Sequence, residues 1–191
     1  MITVMSDGGA AASEPVRALG RDADFDAFCR REYAPVVGLA YVLTGDWSAA
    51  EDLAQEAFFA AFRRWDALAA YDNRGAWVRR VVANRAVSRR RRLGSEARAL
   101  TRLGGRRPAG PAHAEIPDRA DEVWALVRRL PARQAQVFAL TYVEDLSLDQ
   151  IAAVLGISAG TAKTHLTRAR AALTTHHPAP APTNDDESDE R

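Results

Sequence analysis

Apolar residues recur at helical spacing in three consecutive segments of the first half of the chain. They run from Phe25 to Leu43, from Trp47 to Leu68 as the strongest amphipathic pattern of the chain, and over residues 74–92. The turn-forming sequence "TGD" separates the first two segments. The pattern predicts three packed helices that form a first domain over residues 24–92, with Trp77 on the buried side.

Helical periodicity disappears over residues 93–118 and then returns in four shorter segments. The gap carries glycines and prolines and no aromatic residue, which indicates a flexible tether. The four segments predict a second domain over residues 119–174. Residues 1–23 and the proline-rich, acidic residues 175–191 are expected to be a loose lead-in and a disordered tail. The predicted fold is all-α, with two small helical domains joined by a flexible linker.

The last two predicted helices, in "SLDQIAAVLGISAGTAKTHLTRARAAL", have the pattern of a helix-turn-helix. A small residue where the helices cross, a glycine at the turn, an apolar plug and a helix cap occur in register, as Ala152, Gly156, Ile157 and Ser158. The alternative is an ordinary helical hairpin with a solvated basic face. The four features together favour a helix-turn-helix whose second helix reads DNA.

The net charge of +1 hides a strong asymmetry along the chain. Residues 74–107 hold twelve arginines and one acid, whereas residues 22–66 hold nine acids and four arginines. A basic block of this density attracts polyanions, and an acidic helix beside it needs a more basic partner. The chain is therefore expected to contact two different macromolecules.

Several classes of function lack the residues that they require. No apolar run approaches the ~18 residues that span a bilayer, and the N-terminus is not a secretory signal, so we expect a soluble, cytoplasmic protein without membrane contacts. Cys29 is the only cysteine, which excludes an intramolecular disulfide and a CxxC zinc site, and it is expected in the core. Metal, phosphate-loop and nucleophile motifs are missing from the sequence, so we expect neither a cofactor nor catalysis.

Two long stretches of the chain resemble one family of transcription proteins. They are "LPARQAQVFALTYVEDLSLDQIAAVLGISAGTAKTHLTRARAAL" and, before it, "FDAFCRREYAPVVGLAYVLTGDWSAAEDLAQEAFFAAFRRWDAL" followed by "AWVRRVVANRAVSRRRR". The first resembles the −35 reading region of bacterial RNA polymerase sigma factors of the extracytoplasmic-function (ECF) group, in the sigma-70 family. The second resembles their polymerase-binding and −10 reading region. The resemblance implies a sigma factor that binds core RNA polymerase and directs promoter-specific transcription initiation.

The resemblance also implies three sets of contact residues. A coiled coil of the polymerase clamp would contact one face of the second helix, at Asp52, Gln55 and Glu56. A flipped −10 base would meet Asn84, while the DNA strand would be held by Arg79, Arg80 and Arg85. The run Arg89 to Arg92 would attract phosphates without sequence preference. In the last helix, groove contacts to the −35 element would come from Lys163, Thr164, Thr167 and Arg168, and backbone contacts from His165 and Arg170.

His165 departs from the family pattern. Many relatives have "K-S-R-L" where this chain has "K-T-H-L". A neutral imidazole holds a phosphate less strongly than a guanidinium does, so this contact is expected to be weakened or rerouted.

Two rival interpretations stay open on the sequence. A stand-alone LuxR-like helix-turn-helix regulator would explain the last helix, but not the acidic helix or the arginine-rich segment. A DNA recombinase would need a catalytic constellation, and the four histidines are dispersed over the linker, the DNA helix and the tail. An anti-sigma factor that clamps the two domains is a further candidate partner that the tether would permit.

Overall fold

The chain folds into α-helices throughout the residues that the structure describes. A computed structural model describes residues 14–68, 71, 73–102 and 119–176. In these ranges it contains eight helices and no strand: α1 (Glu14–Thr44), α2 (Trp47–Phe62), α3 (Trp65–Leu68), α4 (Arg74–Arg102), α5 (Arg119–Val127), α6 (Ala132–Tyr142), α7 (Leu148–Leu155) and α8 (Ala159–His176). The predicted all-α fold is confirmed.

Two helices are longer than the sequence pattern predicts. Helix α1 begins at Glu14, within the expected lead-in, and α4 continues to Arg102, ten residues into the expected tether. The extension of α4 carries the helix-forming sequence "SEARAL" and an ion pair of 3.5 Å between Arg92 Nε and Glu96 Oε1, one turn apart. The rest of the expected tether, residues 103–118, lies outside the described residues, as do residues 1–13 and 177–191.

The second predicted segment is divided into α2 and α3 by a turn at Arg63 and Arg64. Helix α2 is capped at its start by Asp46, whose Oδ1 accepts a hydrogen bond of 2.9 Å from Ala49 N. After the turn, Trp65 packs against the aromatic side of α1, with its ring centroid 5.0 Å from that of Phe28. The turn therefore places Arg63 and Arg64 at the end of α2 and next to α4.

Helices α1 to α4 enclose a first hydrophobic core. Small residues of α2, such as Ala54 and Ala57, are completely buried and allow α1 and α4 to approach closely. The partly buried Trp77 packs against this core from α4, so its predicted position on the buried side is correct.

Helices α7 and α8 form the predicted helix-turn-helix. Ser147 and Gln150 form a capping box at the start of α7, which ends at Gly156 with a left-handed φ of 65°. Ser158 Oγ accepts a hydrogen bond of 3.1 Å from Thr161 N and so caps α8. The residues of α8 predicted to face inward are buried, except the partly buried last one: Ala162, Leu166, Ala169 and Leu173.

The core of the helix-turn-helix domain is continuous with residues of the first domain. Buried side chains of α5 to α8 pack in one cluster with Leu39, Val42 and Leu43 of α1 and with Ala83 and Ala86 of α4. The alanines are completely buried, and their small size lets α7 approach α4 closely. The two predicted domains therefore pack against each other directly.

Candidate nucleic-acid interface

An open hollow of about 540 Å³ lies between the end of α2 and one face of α4. Its lining combines an aromatic ring, an amide and three guanidinium groups, and consists of Ala60, Arg63, Arg64, Trp77, Val81, Asn84 and Arg85. An aromatic surface can stack on an unpaired base, an amide can bond to the edge of the base, and arginines can hold its phosphates. The hollow thus has the chemistry to receive bases of an opened DNA strand.

The predicted −10 residues lie on different sides of α4. Asn84 and Arg85 line the hollow, whereas Arg79 lies about 140° around the helix from Asn84 and is partly buried between two carboxylates. Arg79 Nη1 is 2.7 Å from Glu32 Oε2, and Arg79 Nη2 is 2.8 Å from Glu144 Oε2. The structure therefore brings Asn84 and Arg85 together but leaves Arg79 outside the hollow.

The other three predicted −10 residues also have contacts in the chain. Asn84 Oδ1 accepts a hydrogen bond of 3.2 Å from Gln136 Nε2, and Arg85 forms an ion pair with Glu56. Arg80 is exposed, and its guanidinium lies against Gly156 at the turn of the helix-turn-helix, where an added Cβ would collide with it. DNA bound along this face of α4 would have to displace these contacts.

Arg79, Glu32 and Glu144 form an ion triad. Burial and hydrogen bonding shift the pKa values of Glu32 and Arg79 in opposite directions. Burial disfavours the charged form of Glu32, but hydrogen bonds from Arg79 and Arg31 outweigh it and hold the pKa of Glu32 below its usual value. Burial likewise disfavours the charged Arg79, but its bonds to the two carboxylates raise its pKa. Glu32 and Arg79 therefore both carry their charges at neutral pH.

The arginine run at residues 89–92 does not face solvent uniformly. Arg91 and Arg92 are exposed, but Arg90 turns inward and its Nη2 donates a hydrogen bond of 3.3 Å to Leu130 O. Burial, followed by repulsion from Arg128, lowers the pKa of Arg90. Arg91 and Arg92 are therefore the members of the run best placed for phosphate contacts.

The predicted polymerase contacts are all exposed on α2. One of them borders an apolar hollow of about 710 Å³ between α1 and α2. Gln55 lines this hollow together with Phe59, which is 64% exposed. Cys29 lines the hollow too, half-buried beside the core, and burial followed by the charge of Asp26 raises the pKa of its thiol. Sequence reasoning missed Phe59, although adjacent phenylalanines in "FF" cannot both face the core of one helix.

The predicted −35 residues all lie on α8, and all of them except His165 are exposed. Four exposed side chains form two i, i+4 pairs on one face: Lys163 with Thr167, and Thr164 with Arg168. Arg170 is exposed and its Nε donates a hydrogen bond of 2.8 Å to Tyr142 Oη, which fixes its position. His165 is half-buried, and its Nδ1 is enclosed without a hydrogen-bond partner among the described residues.

Two family models match the chain, one for each group of helices. Sigma-70 region 2 matches residues 28–96, and sigma-70 region 4 matches residues 120–173. The RNA polymerase sigma-E factor of Streptomyces avermitilis is 30% identical over 156 residues, which cover 81% of this chain and 85% of that protein. The chain belongs to the sigma-70 family. The ECF sigma factor SigW of Bacillus subtilis is 28% identical over 147 residues, covering 71% and 79% of the two chains, which places this sigma factor in the ECF group.

Solved ECF-type structures have a similar fold. The sigma factor RpoE of Bartonella quintana, in complex with the anti-sigma factor NepR, superposes with a TM-score of 0.62 at 24% identity, covering 80% of this chain and 95% of that one. CnrH, in complex with the cytosolic domain of CnrY, has a TM-score of 0.59 at 22% identity, covering 83% and 90%. At these identities the likeness concerns the fold alone.

Family membership decides between the interpretations left open by the sequence. The region 2 match accounts for the acidic helix and the arginine-rich segment, so a stand-alone LuxR-like regulator is not favoured. Sigma factors are initiation factors and not enzymes, which removes the recombinase. Within the described ranges, none of the helices is long and apolar enough to cross a membrane.

Proposed function

We propose that this sigma factor directs transcription initiation through three separate surfaces. The acidic and apolar face of α2 binds core RNA polymerase, the hollow beside α4 receives −10 bases, and the exposed stripe of α8 reads the −35 element. The protein acts in the cytoplasm, where polymerase and promoter DNA are found.

The hollow between α2 and α4 is the observation that carries the proposal for the −10 element. It joins Asn84, which matches a base-contacting position of the family, to Arg85, to Trp77 and to the pair Arg63 and Arg64. Because Trp77 packs on the core and also lines the hollow, it presents a stacking surface that is held in place. Arg63 and Arg64 are additional candidates for phosphate contacts.

The α2 face supports the polymerase contact through both charge and apolar area. Asp52 and Gln55 are exposed, and Phe59 continues the same face one turn later. An aromatic side chain that is 64% exposed beside an open apolar hollow gains free energy when a partner covers it. A basic partner helix with apolar residues at its centre suits this face.

The polymerase contact is tested by charge reversal. Asp52→Arg should reduce binding of the chain to immobilised core polymerase by about tenfold or more, and Phe59→Ala should act in the same direction because it removes apolar contact area. Glu122→Arg, which makes the same charge change at an exposed position of α5, is the matched control and should bind normally. Equal binding by all three variants would refute the assignment of this face.

RpoE was solved with the anti-sigma factor NepR, and CnrH with the cytosolic domain of CnrY. We propose that this chain is also held inactive by a protein of that kind. Co-purification of such a partner with the tagged chain from its native cells, and its release when transcription is induced, would test this step.

A further inference from the structure

We propose that Tyr142 positions Arg170 for contact with a DNA phosphate at the edge of the −35 element, so that the two side chains form one phosphate site. Arg170 is the group that touches DNA, and Tyr142 is a positioning residue that acts through it. The inference rests on the proposed function for its place at the promoter. The site itself can be tested on any duplex, because phosphates carry no sequence information.

A direct hydrogen bond joins the two side chains. Arg170 Nε donates to Tyr142 Oη at 2.8 Å, and the guanidinium carbon lies 5.7 Å from the centre of the Tyr142 ring. This bond uses the Nε–H group and leaves the N–H groups of Nη1 and Nη2 for a ligand. Those groups form the planar fork that binds phosphate oxygens in pairs.

Tyr142 is itself held in place by two other aromatic side chains. Its ring centroid lies 4.4 Å from that of Phe138, and the ring of Phe138 lies 5.9 Å from that of Trp124 at an interplanar angle of 75°. Phe138 of α6 and Trp124 of α5 are partly buried and pack against the core. The row of three rings therefore connects the Arg170 contact to the core, although Tyr142 itself is 51% exposed.

Arg170 continues the exposed stripe of α8 toward the end of the helix. Lys163, Thr167 and Arg170 are all exposed and are spaced i, i+4 and i+7, so they lie along one line of the helix. At about 1.5 Å per residue, Arg170 lies roughly 10 Å along the axis from Lys163. The major groove is about 12 Å wide, so a helix that places Lys163 against base edges brings Arg170 to the rim, where the phosphates are.

The hydrogen bond to Tyr142 matters because an exposed arginine is otherwise free to adopt many rotamers. A long side chain loses this freedom when it binds a ligand, and the loss weakens binding. In this chain Tyr142 already orders the guanidinium before DNA arrives, so less freedom is lost on binding. Removing the hydroxyl group of Tyr142 should therefore weaken the phosphate contact without removing any charge.

The test is a double-mutant cycle on the full chain, read by its binding to a fluorescein-labelled duplex of random sequence. Fluorescence anisotropy gives the dissociation constants of the wild-type chain, Tyr142→Phe, Arg170→Ala and the double variant over a range of salt concentrations. Tyr142→Phe keeps the ring packing and removes only the hydroxyl group. The matched control is Tyr33→Phe, the same change at a tyrosine of α1 that is 37% exposed.

Tyr142→Phe should bind the duplex about three- to tenfold more weakly, as expected when one long side chain must be ordered on binding, with an unchanged salt dependence. Arg170→Ala should weaken binding at least as much and should reduce the slope of log K against log salt by about one. The double variant should bind like Arg170→Ala, because the tyrosine acts through the arginine. Tyr33→Phe should bind like the wild-type chain, and circular dichroism should show equal helix content in all of the proteins.

Three results would overturn the proposal. Binding by Tyr142→Phe that equals or exceeds wild-type binding would mean that the tyrosine does not prepare Arg170 for DNA. Single effects that add in the double variant would mean that Tyr142 acts independently of Arg170. Weaker binding of Tyr142→Phe to core polymerase, with unchanged binding to DNA, would mean that the row of rings faces polymerase instead.

Transcription by core polymerase, measured on the same proteins, keeps this proposal apart from the proposed function. If the cycle gives the expected pattern but the wild-type chain never directs initiation, the phosphate site stands and the proposed function is refuted. If the wild-type chain directs initiation but Tyr142→Phe binds DNA as the wild-type chain does, positioning is refuted and the proposed function stands.

Discussion

Replacing Arg79 by methionine is expected to destabilise the protein far more than replacing Arg31, although both arginines bind the same carboxylate. Arg79 is 14% exposed and lies between Glu32 and Glu144, whereas Arg31 is 67% exposed and contacts Glu32 alone. Methionine keeps most of the side-chain volume of arginine but leaves the two carboxylates facing each other without the cation. Comparing the stabilities of the two variants therefore shows how much more a largely buried ion pair contributes than an exposed one, because both pairs share the carboxylate of Glu32.

The expected loss of stability is larger for Arg79→Met than for Arg31→Met because Arg79 is more buried. Removing one partner of a buried ion pair costs about 3–5 kcal/mol, and the lower end applies here because the Glu32 and Arg79 side chains keep 14% of their exposure. At about 2–4 °C per kcal/mol for a chain of this size, Arg79→Met should lower Tm by about 6–12 °C. An exposed pair is worth up to about 1 kcal/mol, so Arg31→Met should lower Tm by less than about 4 °C.

Thermal unfolding followed by circular dichroism at pH 7 and pH 5 checks both magnitude and cause. In the wild-type chain the depressed pKa of Glu32 means that its stabilisation is complete above the usual glutamate pKa and is lost as the pH falls through the depressed value. In Arg79→Met, burial without the guanidinium should raise the pKa of Glu32. Protonation of Glu32 then removes the cost of a buried, unpaired carboxylate, so the difference in Tm between Arg79→Met and the wild-type chain should be smaller at pH 5 than at pH 7. Equal losses for the two variants, or a gap that widens at pH 5, would refute the reasoning.

Further predictions concern the DNA-binding surfaces and the turn between α7 and α8. Asn84→Ala should reduce opening of the −10 region, read by permanganate reactivity, by about tenfold, whereas Ser88→Ala, exposed on the same helix, should not. Lys163→Ala and Arg168→Ala should each weaken protection of the −35 element in footprints and leave polymerase binding intact; footprints insensitive to both would exclude α8 as the reader. Gly156→Ala should cost about 1–2 kcal/mol in denaturant unfolding because alanine is strained at a φ of 65°, and an unchanged midpoint would contradict that geometry.

Local features of the fold were predictable because they depend on residues close in the chain. The turn at Gly156, the cap at Ser158 and the exposed stripe of α8 require only helical periodicity and capping chemistry over a few neighbouring positions. The exposed position of Asp52 on α2 follows from the same periodicity. These features are what the sequence encodes most directly.

Long-range contacts were not predictable in the same way. Arg79 belongs to a dense arginine block, and the sequence predicts a DNA contact for it as for the others, but its environment is set by Glu144, 65 positions away in sequence. Periodicity indicates which face of a helix is buried and not which element covers it. The docking of the two domains, which depends on many such contacts, is therefore visible only in the structure.

The inward position of His165 was also not predictable from neighbouring residues in the sequence. Its position in the family pattern predicts a backbone contact, but the enclosure of its Nδ1 depends on packing around α8. Whether a phosphate contact survives there is decided by the −35 footprints of His165→Arg, which should gain protection if the site faces the backbone.

Transcription in vitro tests the central claim most directly. Purified core RNA polymerase is incubated with genomic fragments, with and without the chain, and the 5′ ends of the transcripts are mapped. Discrete start sites that require the chain, and that are lost with Asp52→Arg but kept with Glu122→Arg, are the predicted result. Identical transcripts with and without the chain would contradict its role as a sigma factor.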